Sequence, residues 1–308
     1  MVRRPVPDSS GLGSGIALVL LASCSFAGSD ATIKYLGGFV PVLVLLWARY
    51  IFQSGVMATW HYTRSGSFKF KTRAPMLQAI RGILLLCNST ASFYGVQHVP
   101  LAEFTALVLL APVATTVLAA VVLKEPMPPA RWILVAFGVA GMLAVVRPTG
   151  EGSIGWGALL PIFAALCYAV FQLVTRRVAA IDDLILTNFL SALFITCALG
   201  LVLWFLPLDI VPTLRSMNTA HWALLLLIGT LATLGQVSMA AAVRTAPLSL
   251  LMPFAYAQIG FAASISAVLF HHAPDRWTVG GICLIVLGGV GTVLLGGRAS
   301  LLRLLRPK

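Results

Sequence analysis

The sequence predicts an all-α integral membrane protein, with ten transmembrane helices arranged as two inverted-topology five-helix repeats. Three observations predict this fold. Of the 308 residues, 59% are hydrophobic and only 10% are charged, which is too little polar surface to cover a soluble domain. The apolar residues fall in successive runs of about 17–25, the length of a helix that crosses a hydrocarbon core of roughly 30 Å. The polar positions of the first half recur in the second half.

The apolar runs follow one another with short connections, so neighbouring helices are expected to be antiparallel. A transmembrane barrel is not expected, because a run such as residues 222–228 is apolar on every face and does not alternate. The spans are predicted at residues 13–35, 39–61, 76–98, 101–123, 131–147, 154–176, 184–206, 221–243, 248–270 and 277–296.

The Lys and Arg residues lie mostly on one side of the predicted spans. With the N-terminus in the cytoplasm, the outer side receives only Lys34, Arg147, Arg215 and Arg276. This asymmetry follows the positive-inside rule and predicts a multi-pass protein of the cytoplasmic (inner) membrane with both termini cytoplasmic. Because the charge of +12 is dispersed over the connections, nucleic acid is not an expected partner.

An internal repeat relates the two halves of the chain, residues 1–148 and 149–308. Each half has an odd number of predicted spans, so two similar halves must have opposite orientations in the membrane. Inverted repeats are typical of secondary carriers, whose halves exchange conformations around a shared central site. The matched positions are Phe26, Asp30 and Lys34 with Tyr168, Gln172 and Arg176, and residues 99–102 with residues 246–249.

Short motifs mark both halves: residues 123–126 (LKEP), Arg131-Trp132 and Arg147-Pro148 in the first, and residues 246–249 (APLS), 253–256 (PFAY) and Gly288-Gly289 in the second. Their order and spacing resemble the drug/metabolite transporter superfamily, EamA type. The resemblance implies a secondary transporter, not an enzyme, that moves a small organic metabolite by alternating access. The expected substrate is an amino acid, an amine or a related compound, and export is the expected direction.

Other functions stay open at this point. One alternative is an uptake carrier for a larger nucleoside- or vitamin-like metabolite, and another is a lipid-modifying membrane enzyme or a non-transporting membrane scaffold. The expected partners are the small-molecule substrate, the lipid bilayer and protons as a coupling ion, and the protein is expected to be a monomer or a homodimer. No cofactor or metal is expected, because His271-His272 lacks a third ligand and reads as a pair of solvated loop residues.

Charged side chains inside a span cost about 2.5–3.5 kcal/mol on insertion scales, so they mark candidate sites. Asp30 has two interpretations: a local ion pair with Lys34, or a carboxylate that meets a substrate amine and carries a coupling proton. Arg49 is predicted either to pair with a structural partner or to bind an anionic group of the substrate.

Neutral polar residues complete the candidate site. A stripe along the third span contains Gln78, Arg81, Asn88, Ser89 and Ser92, and it indicates either a wet pathway or a seam between helices. Pro112 and Pro253, within the fourth and ninth spans, are predicted to be hinges or static kinks. The full set of predicted substrate-binding residues is Asp30, Arg49, Asn88, Tyr168, Gln172, Gln236, Tyr256 and Gln258.

Overall fold

A computed structural model describes residues 9–65, 72–122, 129–146, 155–178, 181–182, 184–206, 210–245 and 254–304. Every regular element within these ranges is helical. Five helices contain apolar segments of 21 to 24 residues, long enough to cross a membrane, and shorter apolar segments lie in several of the others. The prediction of an all-α membrane fold is therefore confirmed.

The first half contributes six helices to the described structure and the second half contributes six more, preceded by a short 3₁₀-helix at Gly155–Ala158. The helices of the first half are α1 (Ser9–Leu36), α2 (Val42–Ser65), α3 (Pro75–His98), α4 (Leu101–Val108), α5 (Ala111–Val122) and α6 (Pro129–Val146). Those of the second half are α7 (Leu159–Val178), α8 (Leu184–Phe205), α9 (Ile210–Ser216), α10 (Thr219–Thr245), α11 (Ala257–Leu269) and α12 (Arg276–Leu304).

Local sequence signals fix where several of these helices begin. Pro75 occupies the first turn of α3, where its missing N–H costs nothing. Asn218 caps α10, since its side-chain oxygen accepts a hydrogen bond of 2.8 Å from the His221 N–H. Asp275 caps α12 in the same way and accepts a bond of 2.9 Å from the Thr278 N–H.

The predicted fourth span consists of two helices, α4 and α5, separated by a turn at Leu109 and Leu110. Pro112 follows the turn directly and lacks the N–H that would bond to the carbonyl of Val108, the last residue of α4. The offset that aligns Pro100 with Pro247 also aligns Leu109 with Tyr256, a turn residue just before α11. Both halves therefore interrupt the same span at the same position.

Pro253 lies outside the described residues. For both prolines, a hinge role stays a prediction.

The helices pack in pairs that repeat across the two halves. Helix α1 packs along α10, and its counterpart α7 packs along α3, the counterpart of α10. Helices α2 and α8 pack on each other, as do α6 and α12, and each of these two pairs joins equivalent helices. A pseudo-two-fold axis accounts for all four pairs.

Glycines allow the backbones of α6 and α12 to touch. A Cβ added to Gly281 would lie 2.7 Å from the Gly141 carbonyl oxygen, and one added to Gly141 would lie 2.5 Å from the Gly281 carbonyl oxygen. Such close approach requires small residues on both helices. These glycines therefore serve packing within the bundle.

Candidate functional site

Arg49 lies on α2 with its guanidinium between two aromatic rings. Its Cζ is 5.3 Å from the centroid of the Tyr50 ring and 5.4 Å from the centroid of Phe93 on α3. Its Nε is buried and has no hydrogen-bond partner in the described part of the chain. The carboxylate that faces this cation electrostatically is Asp30 of α1. The two charged residues that the sequence singles out as site candidates therefore interact electrostatically.

Lys34 does not form the ion pair with Asp30 that was one of the two predicted alternatives. Its ammonium instead donates hydrogen bonds of 2.7 Å and 2.8 Å to the carbonyl oxygens of Val96 and Val99. These carbonyls lie at the C-terminal end of α3, where no further turn supplies N–H donors. The interpretation of Asp30 and Lys34 as a local ion pair is wrong.

Buried hydroxyl and amide groups lie next to Arg49. The Tyr50 hydroxyl and Ser89 Oγ are 2.6 Å apart in a hydrogen bond between α2 and α3. One turn further along α2, Gln53 is buried and its Oε1 has no partner among the described residues. Asn88 is half-buried beside Ser89 on α3. This wall of the candidate site is polar and can accept or donate hydrogen bonds.

The second half contributes Tyr168 and Gln172 from adjacent turns of α7. The Gln172 Nε2 donates to the Tyr168 hydroxyl across 3.3 Å. The Tyr168 ring packs against two buried apolar clusters, one that contains Tyr50 and one that contains Tyr256. Tyr168 therefore lies at the boundary between the two clusters and close to the middle of the bundle.

Tyr256 is buried, and its hydroxyl has no hydrogen-bond partner in the described structure. Gln258 is half-buried on α11, and Gln236 is half-buried on α10. Within the described residues, the contacts that join Arg49, Tyr50 and Ser89 do not extend to either glutamine. The structure thus groups most of the predicted residues around α1, α2, α3 and α7 and places Gln236 and Gln258 apart.

Arg81 on α3 is 3% exposed, and its guanidinium binds α7 and α8. Its Cζ lies 4.5 Å from the centroid of the Phe171 ring. For Arg81 and for Ser89, the polar stripe of α3 is a seam between helices and not a wet pathway. The partners of Arg81 are Thr175 Oγ1 at 3.0 Å, the Thr187 carbonyl at 2.8 Å, Asn188 Oδ1 at 2.9 Å and Ser191 Oγ.

At the predicted cytoplasmic end of this seam, Asp182 joins the connection before α3 to the connection before α8. Its carboxylate accepts hydrogen bonds from the Thr72 hydroxyl, from the Arg73 N–H at 3.0 Å and from Gln78 Nε2 at 2.8 Å. Partial burial acts to raise the pKa of Asp182, but these hydrogen bonds and the Arg73 charge together hold that pKa below its ordinary value. The ionised Asp182 carboxylate thus links the two halves through its hydrogen bonds with Thr72, Arg73 and Gln78, and this link is called the Asp182 clasp below.

Two residues of chemical interest were missed at the sequence level. Glu103, the third residue of α4, is only 4% exposed, and its Oε1 lies 3.4 Å from His272 Nε2. The other carboxylate oxygen of Glu103 is buried without a partner among the described residues. His272 is therefore more than a solvated loop residue. The available signal was an acid in the first turn of an otherwise apolar helix.

An open groove of about 620 Å³ runs along one face of α2, from Ile51 to Thr63. Its lining comes from α2 alone and holds no ionisable side chain, so it does not match the predicted site. Among the described residues, no group of three His, Cys, Asp or Glu side chains could hold a metal ion.

Residues 13–147 and residues 155–294 each match the EamA-like transporter family. The chain belongs to the EamA-like transporter family. Two matches in tandem mean that each half of this EamA-like transporter contains one copy of the family's helical unit.

Relatives with known transport functions resemble this EamA-like transporter over most of its length. An S-adenosylmethionine uptake transporter of Rickettsia prowazekii is 22% identical over 276 residues, which cover 89% of this chain and 90% of that protein. The pseudopaline exporter CntI of Pseudomonas aeruginosa is 25% identical over 278 residues, which cover 90% of this chain and 94% of that protein. A riboflavin transporter of Rhizobium johnstonii is 28% identical over 249 residues, which cover 76% of this chain and 79% of that protein.

A chain of known crystal structure superposes with a TM-score of 0.64 at 18% identity and covers 94% of this chain and 99% of that one. This likeness shows a shared fold. Family and relatives together confirm that the EamA-like transporter is an integral membrane transporter with a small-molecule substrate and not an enzyme. The interpretations as a lipid-modifying enzyme or a scaffold are set aside.

Proposed function

We propose that this transporter moves an amino acid, an amine or a closely related metabolite by alternating access, with export as its direction. The observation that carries the proposal is the electrostatic interaction of Arg49 on α2 with Asp30 on α1. The Arg49 side chain is half-buried, and its buried Nε has no partner in the described structure. An amino-acid zwitterion carries the complementary charges: a carboxylate for Arg49 and an ammonium group for Asp30.

The chemistry of the two side chains sets the proposed pose. A guanidinium stays charged at every physiological pH and presents planar donors that fit a carboxylate. A carboxylate on the other side attracts an ammonium group. The substrate's carboxylate is therefore assigned to Arg49, and its amine to Asp30. Asp30 is also the proposed carrier of a coupling proton.

The aromatic and amide groups would hold the rest of the substrate. Tyr50 and Phe93 flank Arg49, and Tyr168 with Gln172 approaches the centre from the other half. Phenol and amide groups bind polar ligands without the full insertion cost of a charge. Tyr256 is proposed as a further contact because its buried hydroxyl has no partner among the described residues.

A second candidate is an uptake carrier for a larger nucleoside- or vitamin-like metabolite. The relatives that transport S-adenosylmethionine and riboflavin favour it. The relatives also include both an uptake transporter and an exporter, so the direction rests on the resemblance noted from the sequence. For the location, we propose the cytoplasmic membrane with both termini inside.

Counterflow in proteoliposomes tests the substrate class. Vesicles loaded with one unlabelled solute are diluted into a trace of the same labelled solute, and the transient uptake is recorded for each member of a panel. The panel contains α-amino acids, simple amines, adenosine-containing compounds and riboflavin. Saturable counterflow of an amino acid or amine supports the proposal, whereas counterflow confined to the nucleoside- or vitamin-like members replaces it with the second candidate.

Inside-out membrane vesicles test the direction and the coupling. An exporter accumulates the labelled solute in such vesicles when a proton gradient is imposed with an acidic interior. Solute accumulation in right-side-out vesicles only would reverse the assigned direction. Downhill flux that ignores the proton gradient would leave a facilitator and remove the coupling role from Asp30.

A further inference from the structure

Glu103 and His272 form a contact between the two halves at the end of the bundle opposite the Asp182 clasp. Glu103 belongs to α4 of the first half, and His272 lies in the connection between α11 and α12 of the second half. Glu103 Oε1 and His272 Nε2 are 3.4 Å apart. The carboxylate side chain is 6% exposed, and the imidazole side chain is 47% exposed. The half-exposed His272 imidazole thus contacts both the solvent and the buried Glu103 carboxylate.

The buried carboxylate is poorly compensated by its surroundings. Its Oε2 has no hydrogen-bond partner in the described part of the chain. Lys34 acts on it electrostatically, but the Lys34 ammonium already donates to the carbonyl oxygens of Val96 and Val99. A buried carboxylate without full compensation favours any added positive charge beside it. The imidazole of His272 is the group that can supply one.

The other ionisable groups at this end of the bundle are more exposed or are directed elsewhere. His98 Nδ1 contacts the Tyr94 carbonyl oxygen at 2.8 Å, and its ring lies 5.6 Å from Trp156. The described parts of α6, α7 and α11 have no charged side chain at this end. The exposed groups that face it from α3 and from the connection before α12 are Tyr94, His98, His271, Asp275 and Arg276.

We propose that Glu103 and His272 together form a proton-binding site where the two halves meet. A proton from the adjoining solution binds the exposed imidazole nitrogen of His272, and the resulting imidazolium forms an ion pair with the Glu103 carboxylate. Loss of that proton to the solution leaves a neutral imidazole and weakens the link between the halves.

The site therefore ties the connection between α11 and α12 to α4 more firmly at acid than at neutral pH. This end of the bundle faces the outer side of the membrane if the orientation given under Proposed function holds. The proton-binding site itself is independent of that orientation, because it rests on the contact between Glu103 and His272.

NMR titration of the histidines in the full-length protein in detergent micelles tests the proposal without any transported solute. The chain contains five histidines, and the His272→Asn variant identifies the His272 signal by its loss. In Glu103→Gln, the His272 signal is expected to change to its deprotonated form at a lower pH than in the unmodified protein, because the carboxylate that favours the imidazolium is absent.

His271→Asn is the matched control, because asparagine tolerates the positive φ of 51° at this position and the change leaves the His272 signal in place. It should leave the pH dependence of the His272 signal unchanged. A His272 signal with the same pH dependence in Glu103→Gln as in the unmodified protein would overturn the proposal, since Glu103 would not be the partner.

Discussion

Phe194 of α8 packs its ring against Gly82 of α3, so that a Cβ added to Gly82 would lie 2.7 Å from Cδ1 of that ring. The offset that aligns Phe26 with Tyr168 aligns Phe52 with Phe194, and the offset that aligns Pro100 with Pro247 aligns Gly82 with Gly229. Phe52 in turn packs against Gly229, where an added Cβ would lie 2.7 Å from the ring's Cγ. Each ring crosses from one half to a glycine of the other.

Replacing either glycine by alanine is expected to destabilise the bundle. An alanine at position 82 or 229 overlaps a half-buried aromatic ring, and overpacking of this kind typically costs about 1–3 kcal/mol. The better helix propensity of alanine returns about 1 kcal/mol at most. Thermal unfolding of the purified Gly82→Ala and Gly229→Ala variants in detergent measures the net effect as a lower Tm.

Gly280→Ala is the control, because a Cβ on Gly280 of α12 would meet nothing within 4 Å. Its Tm should equal or exceed that of the unmodified protein. A Gly82→Ala variant as stable as Gly280→Ala would mean that the ring moves aside without cost, and the tight contact between the halves would be disproved.

The two ends of the bundle close with different chemistry. On the side of Asp182, Arg81 binds polar groups of α7 and α8. At the mirrored position, the residues that correspond to Arg81 and to three of its four partners are apolar and at most 1% exposed. The aligned pairs are Arg81 with Ile228, Thr175 with Ile33, Thr187 with Leu45, and Asn188 with Leu46, whereas the fourth partner, Ser191, aligns with Arg49. One closure is a hydrogen-bonded seam, and the other is mainly an apolar contact.

Arg81→Met should therefore lower stability. The change removes the arginine donor from Asn188 Oδ1 and Ser191 Oγ, and each buried polar group left unsatisfied costs about 1–3 kcal/mol. Arg81→Lys should not restore the loss, because an ammonium cannot reproduce the planar fork of donors. Chemical or thermal unfolding of both variants is compared with that of Arg177→Met, which removes an exposed arginine from α7. Equal stability of the two methionine variants would contradict the seam.

The clasp at Asp182 should be insensitive to pH over the physiological range. The pKa of Asp182 is lower in the folded protein than in the unfolded chain, so its contribution is present above the unfolded value of about 3.9. It is lost only as the pH falls through the lower, folded value. Asp182→Asn should accordingly speed amide hydrogen exchange at residues 72–74 by a constant factor between about pH 5 and 8.

Once the pH has fallen below the folded pKa of Asp182, the same exchange experiment should bring the variant and the unmodified protein together, since the carboxylate is then protonated in the folded and the unfolded protein. A difference that grows as the pH falls would contradict the direction of the shift.

Arg49→Gln should reduce counterflow of the identified solute at least about tenfold, which corresponds to about 1.4 kcal/mol or more of lost binding or transport free energy. Asp30→Asn should reduce counterflow of amine-containing solutes by a similar factor. Arg215→Gln removes an exposed arginine from α9 and should transport normally. Full activity of Arg49→Gln in folded protein would remove Arg49 from the substrate site.

Much of the helical fold could be predicted from the sequence, because the length of an apolar run directly reports the thickness of the bilayer. Asp30 and Arg49 could be singled out for a related reason, since a charge inside a span must find a partner away from lipid, but the sequence did not predict that the two would interact with each other. The turn at Leu109 and Leu110 that divides the fourth span into α4 and α5 could not be predicted, because the sequence of that span is continuously apolar. Pro112 indicated only a hinge or a kink.

The partners of individual polar groups could not be predicted. A helical pattern gives the face on which Lys34 lies. The acceptors of the Lys34 ammonium, however, are backbone carbonyl oxygens at the end of another helix, and the pattern of side chains does not predict such acceptors. Glu103 and His272 are far apart in the sequence, and their contact depends on how α4 meets the connection before α12.

The central claim is that two similar halves lie inverted in the membrane around a shared site, and labelling of single cysteines tests it most directly. In a background without the five native cysteines, Ser67→Cys, Asp209→Cys and Lys308→Cys are exposed to an impermeant maleimide on intact cells. The prediction is that Asp209→Cys reacts in intact cells, while Ser67→Cys and Lys308→Cys react only after permeabilisation. Labelling of positions 67 and 308 from opposite faces would contradict the inverted repeat.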